Sequence, residues 1–168
     1  GVRSRSVGAT AGAASYNVVS MPAPKPLLAE TDSPDEIEAR FYEALQQGDI
    51  DRLMAVWSDD DEIVCVQPGG PRLVGPAAIR AAFEAMFGHG AVDARPEKVR
   101  RLHTLTSAVH NVVERVQVMT QDGPQTAWVI ATNVYLRSAQ GWRLVAHHAS
   151  PGTPNEQREV VEPPSVLH

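Results

Sequence analysis

Two adjacent histidines, His147 and His148, are the side chains best suited to acid–base chemistry. They lie in the segment GWRLVAHHASP, whose pattern predicts the last strand of the fold. Because neighbouring side chains on a strand point to opposite faces, the two rings cannot chelate one ion. An imidazole with a pKa of about 6.5 can give or take a proton at physiological pH. The alternative interpretation is a histidine that only forms structural hydrogen bonds. A register slip of one residue would exchange their faces.

Two further polar residues interrupt apolar strands. Glu114 stands in the run VVERV, where burial would raise the pKa of its carboxyl unless a donor or a cation compensates. The alternative for Glu114 is a solvent-facing position. Asn133 stands in ATNVY and needs partners, so we predict that it orients a ligand or joins a polar network with Glu114 and His148. His110 shares the strand face of Glu114 but lies about 13 Å from it, too far for a direct pair.

The sequence disfavours several other chemistries. Cys65 is the only cysteine, which excludes an internal disulfide and a thiolate cluster, and its apolar neighbours predict a buried small side chain. The acidic run at residues 59–62 lacks the spacing and the glycine of an EF-hand calcium loop. His89, His103 and His110 lack the short spacing of a structural zinc site. We therefore predict no metal ion and no cofactor.

These side chains must be positioned by helices that precede a set of strands. Ser33 and Asp49 are capping residues ahead of two apolar helical faces, and Gly48 ends the first helix. A third helix begins at Gly75-Pro76. Strands are predicted at residues 62–67, 72–74, 97–106, 108–120, 125–137 and 142–150. Three N-terminal helices followed by a four-strand meander predict an α+β fold rather than alternating β–α–β units.

Composition sets the outer limits on function. The chain has 168 residues, which suits one domain, placed at residues 33–151. Residues 1–32 are interpreted as a flexible arm or an upstream extension, and residues 152–168 as a tail. The net charge of −5 argues against nucleic-acid binding. No apolar run approaches the roughly 18 residues of a membrane span, so we expect no membrane partner and a cytoplasmic location.

The order of these segments carries a family resemblance. A helix, a Gly-Asp break, a second helix, WSDDDEIVCVQPGG, GPAAIRAAF and the ending GWRLVAHHASP follow one another over residues 34–151. This order resembles the SnoaL-like, ketosteroid-isomerase-like branch of the nuclear transport factor 2 superfamily. The resemblance implies a cone-shaped fold, in which a curved, mainly antiparallel sheet and the helices enclose an apolar pocket. It also implies a homodimer formed through the outer sheet face.

The resemblance bears on individual residues. Isomerases of the family carry an aspartate base just before the proline of the first strand-turn, and Gln67 occupies that place, ahead of Pro68. A glutamine amide cannot abstract a proton. Gln67 therefore either hydrogen-bonds a ligand carbonyl or carboxyl or is an ordinary amide at the end of a strand. Family sequences often end with a tryptophan and, six residues later, a histidine. This spacing indicates that His148 faces the pocket and that His147 faces the dimer side.

Three more positions follow from the resemblance or from their place on the helices. Where this chain has Glu114, the kinase association domains of the family carry an arginine that points into the cavity. The resemblance therefore implies a pocket location for Glu114, with inverted charge. Tyr42 and Trp57, on the helices, are either pocket walls or ordinary core aromatics.

Two functions fit these residues. In the first, the chain is a small-molecule enzyme, a cofactor-independent isomerase, hydratase or cyclase that acts on a carbonyl compound. His148 would then be the acid or base, Glu114 would tune it, and Gln67 and Asn133 would polarise the carbonyl. In the second, the chain is a noncatalytic dimer that binds a ligand or assembles partners, which the missing aspartate favours. Fold membership alone does not decide between them.

Overall fold

The computed structural model describes residues 32–152 and 159–164, and its elements follow the predicted order of helices and then strands. In chain order they are α1 (Pro34–Gln47), α2 (Ile50–Val56), β1 (Val64–Val66), β2 (Arg72–Val74), α3 (Pro76–Phe87), β3 (Asp93–His103), β4 (Ser107–Thr120), β5 (Gly123–Ser138) and β6 (Gly141–Pro151). The strands form one six-stranded sheet in the order β2-β1-β6-β5-β4-β3. All neighbours in it are antiparallel except β1 and β6. The predicted α+β fold, with helices on a mainly antiparallel sheet, is confirmed.

Local capping chemistry sets the helix boundaries. The Ser33 hydroxyl accepts a hydrogen bond from a backbone N–H of the first turn of α1, at 3.2 Å. Gly48 ends α1 in the left-handed conformation, with φ of 64°, which a side chain would make costly. The Asp49 carboxylate accepts a backbone N–H at 3.1 Å and begins α2. These boundaries agree with the sequence predictions.

The helices cover one face of the sheet, and the core lies between them. The buried stripe of α1 consists of residues at helical spacing, among them Ile37, Phe41 and Leu45. α3 adds Ile79 and Phe83 from a second direction. The packed helices and the curved sheet leave a cavity between them.

The boundaries of β3 differ from the prediction. This strand begins at Asp93 and ends at His103, whereas the sequence predicts residues 97–106. Its pairing with β4 shifts between Glu97 and Arg100, which breaks the alternation on which the prediction depends. Pro96, which resembles a strand breaker in the sequence, is tolerated because β3 is an edge strand.

A β-bulge in β6 reverses the predicted faces of the two histidines. Val134 pairs with Ala146, but the next residue of β5, Tyr135, pairs with Leu144, so β6 contains one extra residue between these pairs. One inserted residue moves every later side chain of the strand to the opposite face of the sheet.

The prediction that His148 faces the pocket and His147 the dimer side is therefore wrong. His147 is 2% exposed and lies on the helix-covered face, together with Leu144 and Ala149. His148 is exposed on the other face.

Two of the predicted segments fall partly or wholly outside the described residues. The interpretation of residues 1–32 as an arm lies outside them except for Asp32, and so does most of the predicted tail at 152–168. Among the described residues, no helix has the length and apolar character needed to cross a membrane.

Candidate functional site

A cavity of about 170 Å³ lies between α1, α3 and the sheet. Most of its lining is apolar, and three polar side chains enter it: Gln67, Glu114 and His147. The other lining residues are Phe41, Leu45, Pro68, Phe83, Met86, Val92, Ala94, Val116, Ala127 and Val129. The volume is below the range of roughly 300–1,000 Å³ that is typical for drug-sized ligands, so the cavity suits a small compound.

A chain of hydrogen bonds connects two of these polar groups through the core. The Tyr42 hydroxyl donates to Glu114 Oε2 at 2.6 Å and accepts from Asn133 Nδ2 at 3.1 Å. Asn133 Oδ1 in turn accepts from His147 Nδ1 at 2.5 Å. All four residues are buried, so the chain is shielded from water.

These hydrogen bonds determine which nitrogen of His147 carries the proton. Because the Asn133 amide nitrogen donates to Tyr42, its oxygen is the acceptor, and the proton of the His147 contact must belong to Nδ1. In the neutral ring, Nε2 then keeps its lone pair. A buried ring with an unprotonated Nε2, on the wall of a cavity, can accept a hydrogen bond or take a proton from a ligand.

Burial decides the charge of the two ionisable groups in the lining. Burial, assisted by the neighbouring His148, lowers the pKa of His147 from 6.5 to about 4, so the ring is neutral at pH 7. Burial also raises the pKa of the Glu114 carboxyl, and the hydrogen bond from Tyr42 opposes that rise. The pKa of Tyr42 is raised well above 10 by burial and by the Glu114 carboxylate, so the shared proton stays on the phenol.

The electrostatics of the cavity favour an uncharged ligand. Among the described residues, no lysine or arginine lines it. Glu114 is its only carboxyl in that set, and an anionic ligand would meet this group in a poorly hydrated space. A neutral compound with a carbonyl or hydroxyl group would instead match the amide of Gln67 and the imidazole of His147.

Gln67 and Cys65 lie together beside the cavity. Gln67 directly follows β1 and is half-buried, and its Nε2 lies 3.7 Å from the Cys65 sulfur, within range of a weak hydrogen bond. Cys65 is fully buried, as predicted, and burial raises the pKa of its thiol to about 12. A thiol with this pKa is not a nucleophile at neutral pH. Gln67 is therefore the hydrogen-bonding group at this wall of the cavity.

The remaining predicted site residues lie either in the chain of hydrogen bonds or in the hydrophobic core. Tyr42 is 1% exposed and does not line the cavity, although its hydroxyl joins Glu114 to Asn133. Trp57 is 2% exposed and packs in the core away from the cavity, which agrees with the alternative of a core aromatic. Asn133 does join a network with Glu114, but its histidine partner is His147 and not His148.

Sequence reasoning missed two features of this site. His147 was placed on the wrong face, since no glycine or proline marks the bulge in β6. Phe41, whose ring centroid lies 5.2 Å from that of His147, was identified only as part of a helical face. The sequence correctly predicts that His110 and Glu114 do not form a direct pair. The His110 ring contacts Glu38.

A second depression, of about 240 Å³, lies between α1 and α2. Its lining includes Arg40, Glu43 and Arg52, and no residue of the sheet. It is larger than the inner cavity but lacks the connected acid and base groups, so we place the candidate site in the inner cavity.

Comparison with known proteins agrees with this architecture. The family model described as a SnoaL-like domain matches residues 35–154. A proposed calcium/calmodulin-dependent protein kinase type II association domain from Thiobacillus denitrificans is 35% identical, with a TM-score of 0.65 over 72% of this chain and 96% of that one. A proposed dehydratase of the NTF2-like family from Streptomyces avermitilis is 26% identical, with a TM-score of 0.63 over 70% and 93%. No curated protein matches the sequence significantly.

Proposed function

This chain belongs to the SnoaL-like family, and we propose that its cavity binds a small neutral carbonyl compound and transfers a proton on it without a cofactor. The observation that carries this proposal is the buried chain Glu114–Tyr42–Asn133–His147, which ends at the cavity wall. The Streptomyces avermitilis relative supports it, since a proposed dehydratase has a related sequence on the same fold.

The proposed chemistry assigns one role to each group. His147 Nε2 removes a proton from the carbon next to the carbonyl, and the electron pair of the broken C–H bond moves to the carbonyl oxygen. The Gln67 amide donates to that oxygen as its negative charge develops. The Glu114 carboxylate, acting through Tyr42 and Asn133, stabilises the positive charge on the ring.

The low pKa of His147 favours prompt return of the proton. Burial destabilises the imidazolium, so it gives the proton to another carbon in an isomerisation, or to a departing hydroxyl group in a dehydration. Asn133 is fully buried and bonded to both Tyr42 and His147, so its role is to orient the ring rather than to polarise the ligand.

Binding can be tested by filling the cavity. A panel of small neutral carbonyl compounds, with matched carboxylates, is screened against the protein by ligand-observed NMR. We expect the neutral compounds to bind and the carboxylates not to bind. Ala127→Phe, which places a ring in the cavity, is expected to abolish that binding while thermal unfolding shows a folded protein. Binding that survives Ala127→Phe would show that the ligand lies elsewhere, and a preference for carboxylates would contradict the neutral ligand.

We also propose that two copies associate through the outer face of the sheet. On this face Val109 lies opposite Val134, and Val113 lies opposite Ile130. All four are half-buried, and no helix among the described residues covers them. Paired apolar side chains in the centre of an uncovered sheet are typical of a surface that is buried on association. The similarity to a proposed kinase association domain supports this part of the proposal.

A charge on this face is expected to separate the dimer. Val134→Lys would bury an ammonium group at the interface, so light scattering should give the 18.2 kDa mass of one chain instead of twice that mass. Val118→Lys, an exposed position near the end of β4 whose side chain lies on the opposite face of the sheet, is the matched control and should stay dimeric. A wild-type protein that is monomeric at high micromolar concentration would refute the dimer.

The alternative function, a noncatalytic dimeric ligand-binding or assembly module, rests on two observations. By the resemblance to the family's isomerases, Gln67 stands where those enzymes have an aspartate base. The similar protein from Thiobacillus denitrificans is a proposed association domain. This alternative shares the binding and dimer predictions but predicts no proton transfer, so deuterium exchange next to the carbonyl of a bound compound separates the two functions.

A further inference from the structure

A second polar cluster, with two buried and two exposed members, lies away from the cavity, where the first turn of α1 meets the β3–β4 hairpin. It contains two histidines of the hairpin, His103 and His110, and two carboxylates of α1, Asp35 and Glu38. None of the four lines the cavity. The geometry points to a binding site for a divalent transition-metal ion such as Zn²⁺, with His103, His110 and Asp35 as ligands and Glu38 behind His110.

His110 is held as a metal-binding histidine is usually held. Its ring is fully buried, and its Nδ1 contacts the carboxylate of Glu38, which is 5% exposed. A carboxylate in this position accepts a hydrogen bond from Nδ1–H, so Nε2 of the neutral ring carries the lone pair. Carboxylate–histidine pairs of this kind orient metal-ligating imidazoles and raise their basicity.

The facing nitrogens of the two rings need a cation or a proton between them. His110 Nε2 lies 2.8 Å from His103 Nε2, and the ring planes are within 18° of parallel. Two lone pairs at this distance repel each other unless they share a proton or bind one ion. In a tetrahedral zinc site, two nitrogens at the usual bond length lie about 3.3 Å apart. The ring centroids lie 5.1 Å apart, so the two rings meet end to end, and the exposed His103 ring must turn out of this line to share an ion with His110.

Asp35 supplies the third ligand. Its Oδ1 lies 3.9 Å from His110 Nε2, and one ligand atom from each of Asp35, Glu38 and His110 lies within 4.8 Å of the other two. Arg101 donates to the same Oδ1 at 2.7 Å, which leaves Oδ2 to coordinate an ion. Asp35 is exposed, so its side chain can turn toward the rings.

The donor set and the charge indicate which ions fit. Two imidazoles and one carboxylate suit Zn²⁺, Co²⁺ or Ni²⁺ better than Mg²⁺ or Ca²⁺, which prefer oxygen ligands. Two carboxylates face one guanidinium in the cluster, so the site is negative overall with neutral rings. Three protein ligands leave a fourth position for water. A bound ion would clamp the start of α1 to the hairpin.

The test uses the full chain without a histidine tag, titrated with Co²⁺ and with Zn²⁺ at pH 7.5. We expect one ion per chain by calorimetry, a visible Co²⁺ spectrum of four-coordinate type, and a rise in Tm of about 5 °C with excess Zn²⁺. His103→Gln, at an exposed position, should abolish all three effects. Its matched control His89→Gln, an exposed histidine outside the cluster, should change none.

Glu38→Gln supplies a second test of the same site. It should weaken Zn²⁺ binding by about 10- to 100-fold, the usual effect of losing a carboxylate behind a histidine ligand. Absence of binding in the wild-type protein would show that the two rings share only a proton. Binding that persists in His103→Gln would place the ion on other residues. Either result overturns the site and leaves the function proposed for the cavity untouched.

Discussion

Tyr42→Phe is expected to lower the free energy of unfolding by about 3 kcal/mol at pH 7. The variant keeps the ring but removes the hydroxyl that donates to Glu114 and accepts from Asn133. A buried carboxylate then loses its donor, and a buried amide N–H loses its acceptor. Both losses leave polar groups without partners, which costs more than the bond itself is worth.

Tyr135→Phe is the matched control for this experiment. Tyr135 is also fully buried, but its hydroxyl, although close to Asn133, forms no hydrogen bond of normal geometry among the described residues. Removing it should cost less than about 1 kcal/mol in urea unfolding at the same pH. Equal losses in the two variants would contradict the central role of the Tyr42 hydroxyl.

The loss in Tyr42→Phe should also depend on pH in a defined direction. Burial raises the pKa of Glu114 in the folded protein, so folding is favoured while the carboxyl is protonated and loses this contribution as pH rises through the raised pKa. Without the Tyr42 donor the folded pKa rises further. The difference from wild type should therefore shrink at low pH and grow toward pH 8.

The second large effect is an acid destabilisation that depends on His147. Its pKa is lowered from 6.5 to about 4 in the folded protein, so its contribution to stability is present above pH 6.5 and is lost as pH falls to about 4. The shift corresponds to about 3 kcal/mol. His147→Gln, which cannot be protonated, should remove this part of the pH dependence in urea titrations between pH 7 and pH 4.

His148→Gln is the neighbouring control, because that ring is exposed. It should leave the acid limb of the stability curve nearly unchanged. If His148→Gln flattened the curve and His147→Gln did not, His148 rather than His147 would lie on the helix-covered face, and β6 would lack the bulge.

Local chemistry made most of the fold predictable. Ser33, Gly48 and Asp49 act through their own backbone neighbours, so the ends of the first two helices follow from residue type. The polar interruptions at Glu114 and Asn133 also identify buried positions correctly. The sequence does not identify their shared partner, because Tyr42 lies 72 residues from Glu114 and 91 residues from Asn133.

Strand register limited the prediction of the site. Alternation assigns faces only while a strand stays regular, and one inserted residue between Leu144 and Ala146 exchanged His147 and His148. The cluster around His110 was missed for another reason. Its residues come from a hairpin and from a helix, and His110 and Glu38 are 72 residues apart, so no short metal-ligand spacing appears in the sequence.

The central claim is that His147 takes a proton from a carbonyl compound in the cavity. The most direct measurement incubates the protein in D₂O with the neutral carbonyl compounds that bind and follows deuterium entry next to the carbonyl by NMR. We expect exchange above the buffer rate, reduced by about 10²- to 10⁴-fold in His147→Gln and unchanged in His148→Gln. Exchange at the buffer rate for every bound compound would contradict the claim and favour a noncatalytic binding or assembly module.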